Sequence, residues 1–197
     1  MARKTTTKSK GSVDKWKLKK MYDVIAPDIF NNVIVGTIVA TDPETLKGRT
    51  INATLSKLVN SNQHHIQVKL RVTEVSGFKA MTKIDGMELS RAYIGSQIFG
   101  GSDLIEYVFK VETQDGETVR VKMIISTRRK AHDAQKKQVR KIAEEILAKT
   151  ASRSSVDQLI QEIIFGKAGS QIFNKGKKIM PLGRAEIRRA EVLKRKA

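Results

Sequence analysis

Lys136, Lys137, Arg140 and Lys141 fall within six residues of one another in DAQKKQVRKIAEEILAK, and Arg128, Arg129 and Lys130 stand just before that stretch. Ammonium and guanidinium groups at this density do one kind of chemistry well, which is to neutralise and hydrogen-bond phosphate oxygens. Two other clusters repeat the theme. The first twenty residues, MARKTTTKSKGSVDKWKLKK, hold Arg3, Lys4, Lys8, Lys10, Lys15, Lys17, Lys19 and Lys20 against a single Asp. Near the other end stand Lys177, Lys178, Arg184, Arg188 and Arg189, with Lys194, Arg195 and Lys196 beyond them. The candidate phosphate-binding set is therefore the arm, Arg128, Arg129, Lys130, Lys136, Lys137 and Arg140 at a helix start, and Lys177, Lys178, Arg184, Arg188 and Arg189 in the C-terminal patch.

The alternative for the helix start is a solvated face with Arg140–Glu144 and Lys141–Glu145 pairs. Two effects count against it. The favoured order on a helix places Glu before Lys, and cations in the first turns oppose the helix dipole by about 0.3–1 kcal/mol each. Phosphates would offset that cost. The C-terminal patch is weaker taken alone, because cations near a helix C-terminus are favourable anyway. Read as a helix, GRAEIRRAEVLKRKA has a thin apolar face of Leu182, Ile187, Val192 and Leu193, poorly suited to lie on a membrane.

The chain has 197 residues, enough to bury a core, and a net charge of +18. Charge so far from zero carries self-repulsion that a polyanion relieves. It is unevenly placed: residues 21–125 are close to neutral, so the excess sits at the ends and around the helix start. With no cysteine, disulfides, thiolate metal sites and Cys nucleophiles are excluded, and a reducing cytosol is the natural compartment. His64, His65 and His132 form no metal-ligand pattern, so no metal and no cofactor are expected. No segment approaches the roughly 20 apolar residues of a membrane span, and the protein is expected to be soluble. GKAGSQIFNKGKK has its glycines and lysines at the wrong spacing for a P-loop, leaving a phosphate-binding turn or a plain loop. No local pattern fixes two carboxylates for acid–base work, and no enzyme activity or small-molecule substrate is expected.

The elements that must position these cations can be read from periodicity. HIQVKLRVTEV alternates, with Ile66, Val68, Leu70 and Val72 inward. LIEYVFKVETQDGETVRVKMIIS predicts a hairpin with Ile105, Tyr107, Phe109 and Val111 facing Val119, Val121, Met123 and Ile125, and Asp115-Gly116 in the turn. IFNNVIVGTIVA and RTINATLSKLV read as further strands around the loop TDPETLKG. From residue 133 the period becomes helical, with Val139, Ile142, Ala143, Ile146 and Leu147 on one stripe. SVDQLIQEIIFG opens with the capping-box pair Ser155 and Gln158 and closes at Gly166. The expected fold is α+β, an antiparallel sheet or partly closed barrel with helices packed on it and extended basic termini. Residues 1–20 would be a disordered arm that orders on RNA, 21–165 one body (β-rich over 21–125, helices over about 133–165), and 166–197 a basic segment with a short helix.

Aromatic residues make up only 5% of the chain, too few for a platform that splays single-stranded bases, and no zinc-finger, RNP or GXXG signature is present. Backbone and shape recognition of folded RNA remains. About ten engaged phosphates would give a log–log salt slope of roughly −7 to −9. A mitochondrial presequence would be amphipathic and Arg-rich, which the Lys-rich arm is not. The competing functions are a free regulatory RNA-binding protein and an RNA-processing enzyme.

The ordered stretches MYDVIAPDIF, LKGRTINATLSKL, VTEVSGFKAMTKIDGMELSR, VETQDGETVR, STRRK, KKQVRKI and KIMPLGRAEIRRAEVLKRK resemble the archaeal and eukaryotic small-ribosomal-subunit protein family called eukaryotic-type "S one" or "S three-a-e". The resemblance runs from about residue 21 to the C-terminus. It implies a non-enzymatic, cytoplasmic structural protein of the small subunit's platform, near the 3′ end of the rRNA and the messenger exit. Its implied partners are small-subunit rRNA, neighbouring platform proteins and the messenger. Relatives often carry Trp where this chain has Met21, and Tyr where it has Met180.

Overall fold

The computed structural model describes residues 16–194, without the side chain of Lys194. Eight strands form one mixed sheet: β1 Lys20–Ile25, β2 Ile34–Ala40, β3 Thr50–Thr54, β4 Ile66–Ser76, β5 Lys79–Leu89, β6 Leu104–Glu112, β7 Thr118–Thr127 and β8 Leu182–Lys194. The helices are α1 Leu55–Val59, α2 Arg91–Ser96, α3 Asp133–Ala151, α4 Val156–Ile164 and α5 Lys167–Gly176.

The expected α+β architecture is present, as an open sheet that does not close into a barrel. Strands run β2-β1-β5-β8-β7-β6, with β4 paired along the other edge of β5 and β3 beyond it. Every pairing is antiparallel except β1 with β5. The first part of β5 pairs with β1 and its last part with β8, so β5 joins the two halves of the sheet.

Alternation explains which face is covered. In the β6–β7 hairpin Ile105 opposes Ile125, Tyr107 opposes Met123, Phe109 opposes Val121 and Val111 opposes Val119, as their spacing predicts. That face packs under α3, α4 and α5 in a core that includes Val139, Ala143, Leu147, Leu159, Ile160 and Ile172. A smaller core of Tyr22, Ala40, Leu46, Val72 and Ala80 lies at the β1 end. Ser155 caps α4: its Oγ accepts from Gln158 N–H while Gln158 Oε1 accepts from Ser155 N–H. Gly166, at φ 73°, then turns the chain from α4 into α5.

Three local expectations are corrected. RTINATLSKLV is a strand only through Thr54, after which Leu55 and Leu58 turn inward on α1. GKAGSQIFNKGKK is neither a phosphate-binding turn nor a loop but mostly α5, which buries Ala168, Gly169 and Ile172. GRAEIRRAEVLKRKA is not a basic helix in its described part, which through Lys194 belongs to β8, an inner strand. The reason lies in the register of β7 and β8. Thr127 pairs with Leu182 and Ser126 with Arg184; Met123 pairs with Ile187 and Lys122 with Arg189; Val119 pairs with Val192 and Thr118 with Lys194. Each pair of pairs leaves one extra residue on β8, at Gly183, Arg188 and Leu193, as in a β-bulge. The bulges stretch the apolar spacing of Leu182, Ala185, Ile187, Ala190 and Val192 from two to an alternation of three and two, which imitates a helix.

β8 is also approached closely from both sides. A Cβ at Gly86 would lie 2.2 Å from the Ala190 carbonyl oxygen, and one at Gly169 would lie 2.5 Å from that of Ala185. Only glycine lets β5 and α5 come this near. Met180, where relatives often have Tyr, is buried in the main core, whereas Met21 is exposed.

Candidate nucleic-acid interface

The segment joining β7 to α3 carries Arg128, Arg129 and Lys130, all exposed. It is anchored rather than loose: Thr127 Oγ1 donates to Arg129 C=O at 2.7 Å, and Arg128 N–H donates to Pro181 C=O at 3.0 Å. The second bond brings the chain preceding β8 beside the end of β7. Gly176, at the end of α5, packs near Val139, so Lys177 and Lys178 follow directly on a contact with the first half of α3. Cations from 128–140 and from 177–178, remote in sequence, are thus gathered at one edge of the fold.

Asp103 organises this edge. Its Oδ2 accepts from Ala131 N–H at 3.1 Å and lies 2.9 Å from Lys136 Nζ. The Ala131 hydrogen bond first, and the Lys136 bond second, hold the Asp103 carboxyl below the usual carboxylate range. Lys136 is therefore engaged within the protein. Arg128, Arg129, Lys130, Lys137, Lys177 and Lys178 make no ion pair among the described residues. Arg140 is half-buried, and its Nε makes no hydrogen bond. The alternative Arg140–Glu144 and Lys141–Glu145 pairs do not form among the described residues, and Glu144 instead accepts from Tyr107 OH at 3.1 Å. The dipole at the helix start meets an acidic residue first: α3 begins at Asp133, with Gln135 Oε1 accepting from His132 N–H. Lys136 and Lys137 therefore fall just past an acidic first residue.

The C-terminal arginines differ. Arg184 Nη1 donates to Tyr93 OH at 2.7 Å and lies 3.7 Å from Glu186. Arg188 meets Glu106 at 3.2 Å, and Arg189 meets Glu88 at 3.8 Å and also Glu191. Tyr93 OH donates to Glu186 at 2.7 Å, and burial followed by that bond raises the phenol above its ordinary range. His65 stacks on Tyr93 with centroids 4.0 Å apart, which gives that histidine a packing role.

Of the arm, Lys17, Lys19 and Lys20 are exposed, and Lys19 Nζ lies 4.0 Å over the Trp16 ring. Trp16 itself is 67% exposed, so it does not anchor the arm in the core. Arg3, Lys4, Lys8, Lys10 and Lys15 lie outside the described residues. Sequence reasoning missed Phe99, Gln97 and Ser102, which stand beside Arg128 on the loop before β6. The available signal was IFGGSD, two apolar residues followed by two glycines in a stretch with no core period.

An open mixed sheet backed by three helices, with unpaired cations gathered at one edge, defines the class: a basic α+β protein. The sequence profile described as the Ribosomal S3Ae family matches residues 7–196, and the chain belongs to that family. It is 38% identical over 181 residues to the small ribosomal subunit protein eS1 of Staphylothermus marinus, covering 91% of this chain and 85% of that protein. Over 182 residues it is 40% identical to the proteins of the same name from Saccharolobus islandicus and Saccharolobus solfataricus, covering 92% of this chain and 88% of each. No helix among the described residues is long and apolar enough to cross a membrane.

Proposed function

We propose that this chain is a structural constituent of the small ribosomal subunit. It acts in translation by binding rRNA through backbone and shape contacts at the cytoplasmic subunit's platform, near the rRNA 3′ end and the messenger exit. The observation that carries the reading is the gathering of Arg128, Arg129, Lys130, Lys137, Lys177 and Lys178 without internal partners, on a chain of net charge +18. A protein that used these cations only for itself would pair them with its own carboxylates, as it does on β8. The small-subunit names of its relatives and the resemblance of its motifs support the same assignment. The arm, from Arg3 to Lys20, adds phosphate contacts that form as it orders on RNA.

Neighbouring proteins are best served by β2. Ile34–Ala40 contains no charged residue, pairs only with β1 among the described residues, and leaves Ile34 62% exposed. An unpaired, uncharged edge suits an extended protein segment better than a phosphate backbone.

Sedimenting a lysate through a high-salt wash tests the assignment. The chain is expected to remain with the small-subunit particle; recovery in the free-protein fraction would reject it. Removing residues 1–20 is expected to weaken rRNA binding and flatten its salt dependence while the body's thermal midpoint stays the same. An unaltered slope would remove the arm from the interface.

A further inference from the structure

Phe99 is 69% exposed and Ile98 beside it 48% exposed, on the loop between α2 and β6. That loop is tightly held. Ser102 Oγ accepts from Phe99 N–H at 3.1 Å and donates to Phe99 C=O at 2.6 Å, and Gly101 closes the turn at φ 80°. Asp103 N–H donates to Thr127 Oγ1 at 2.8 Å, and Thr127 N–H donates to Asp103 C=O at 2.9 Å. The backbone of Phe99 is therefore clamped beside the end of β7, where the unpaired cations begin.

Between the loop and β7–β8 lies a cleft of about 500 Å³ lined by Gln97, Phe99, Ser102, Ser126, Arg128 and Arg184, among others. No carboxylate lines it. Its size is within the roughly 300–1,000 Å³ of small-ligand sites. Arg128 has no ion pair, and Gln97, whose Nε2 is bonded to Ser96 Oγ, has an Oε1 with no protein donor among the described residues. An exposed ring on a clamped backbone, one free cation and a free amide acceptor are the parts needed to stack a base, hold its phosphate and meet a base amino group.

We propose that this cleft takes one unpaired nucleotide of the RNA, with its base on Phe99 and its phosphate at Arg128. The proposal rests on the rRNA-binding reading and goes beyond it: one position departs from backbone-only recognition. A single aromatic suffices for a single base, so the low aromatic content of the chain does not oppose it.

The test uses the full chain with two probes, a short RNA duplex carrying one bulged adenosine and the same duplex without it. Phe99→Ala is expected to weaken binding of the bulged RNA by about 5- to 100-fold, leaving the paired duplex, the salt slope and the thermal midpoint unchanged. Phe99→Leu should behave like Phe99→Ala. Phe99→Trp should restore affinity, and its indole fluorescence should be quenched by the bulged RNA alone. Equal loss on both RNAs, no loss on either, or full affinity with Phe99→Leu would overturn the stacking site while leaving the parent reading intact. Wild-type protein that binds neither RNA in a salt-dependent way would overturn both.

Discussion

The cations at the start of α3 and the arginines of β8 carry the same charge on neighbouring parts of the fold, yet their surroundings are opposite. Arg184, Arg188 and Arg189 each meet a carboxylate, from Glu186, from Glu106, and from Glu88 and Glu191 respectively. Arg128, Arg129, Lys130 and Lys137 form no ion pair among the described residues, although Lys130 is close enough to Asp103 to help hold its carboxyl low. Both kinds of arginine and lysine count equally toward net charge, but only the second kind leaves its attraction for phosphate unspent. Exposed ion pairs contribute little to stability, about 0–1 kcal/mol. What the β8 pairs chiefly do is reduce the local field that RNA would feel.

The largest effect expected from this contrast concerns affinity. Changing Arg128, Arg129, Lys130 and Lys137 together to Gln should lower rRNA affinity roughly 100-fold or more at moderate salt and flatten the log–log slope by about three. Titrating binding against salt concentration measures both. Changing Arg188 and Arg189 to Gln should cost less than about threefold, since their charges are already matched. Equal losses from the two sets would erase the distinction between the regions.

A smaller effect runs in reverse. Replacing Glu88 and Glu106 by Gln should free Arg189 and Arg188 in part and raise rRNA affinity a few-fold, with a slope steeper by about one. If affinity falls instead, the β8 pairs position the arginines for RNA rather than neutralise them. Circular dichroism should show the fold unchanged in these variants, because none of the side chains concerned is buried: Arg188, Arg189 and Glu88 are partly exposed and Glu106 is exposed.

How legible these regions are in the sequence follows from what distinguishes them. The β6–β7 hairpin and the capped start of α4 are local patterns, and both form as their residues predict. β8 is hidden because three bulges break its period, and β5 because Thr82 and Asp85 stand buried where an apolar strand pattern would need hydrophobic side chains. Asp85 is tolerated there because Arg71 reaches it with two hydrogen bonds, at 2.9 and 3.0 Å. The cations themselves are evident from residue type. Whether each is paired is not, because Arg188 and Glu106 are brought together by the β6–β7–β8 register and Lys136 and Asp103 by the packing of the β6 entry against α3.

The finest probe of the contrast is Asp103, seated with Asp133 inside the helix-start cluster and the nearer of the two carboxylates to Lys136, at 2.9 Å against 3.9 Å. Its carboxyl is held low first by Ala131 N–H and second by Lys136. A group whose folded-state pKa is depressed contributes stability that is complete above its unfolded value of about 3.9 and is lost as pH falls through the folded value. Asp103→Asn removes that contribution, so the variant should melt slightly lower than wild type near neutrality and converge with it once the pH has fallen through the depressed folded-state value. At neutral pH the same change releases Lys136 into the cluster and should steepen the salt slope of rRNA binding by at most about one. Thermal melts across pH and the salt titration separate the two roles. A slope unchanged while the midpoint falls would mean that Lys136 only ties α3 to β6, and that the interface begins with the residues that have no partner.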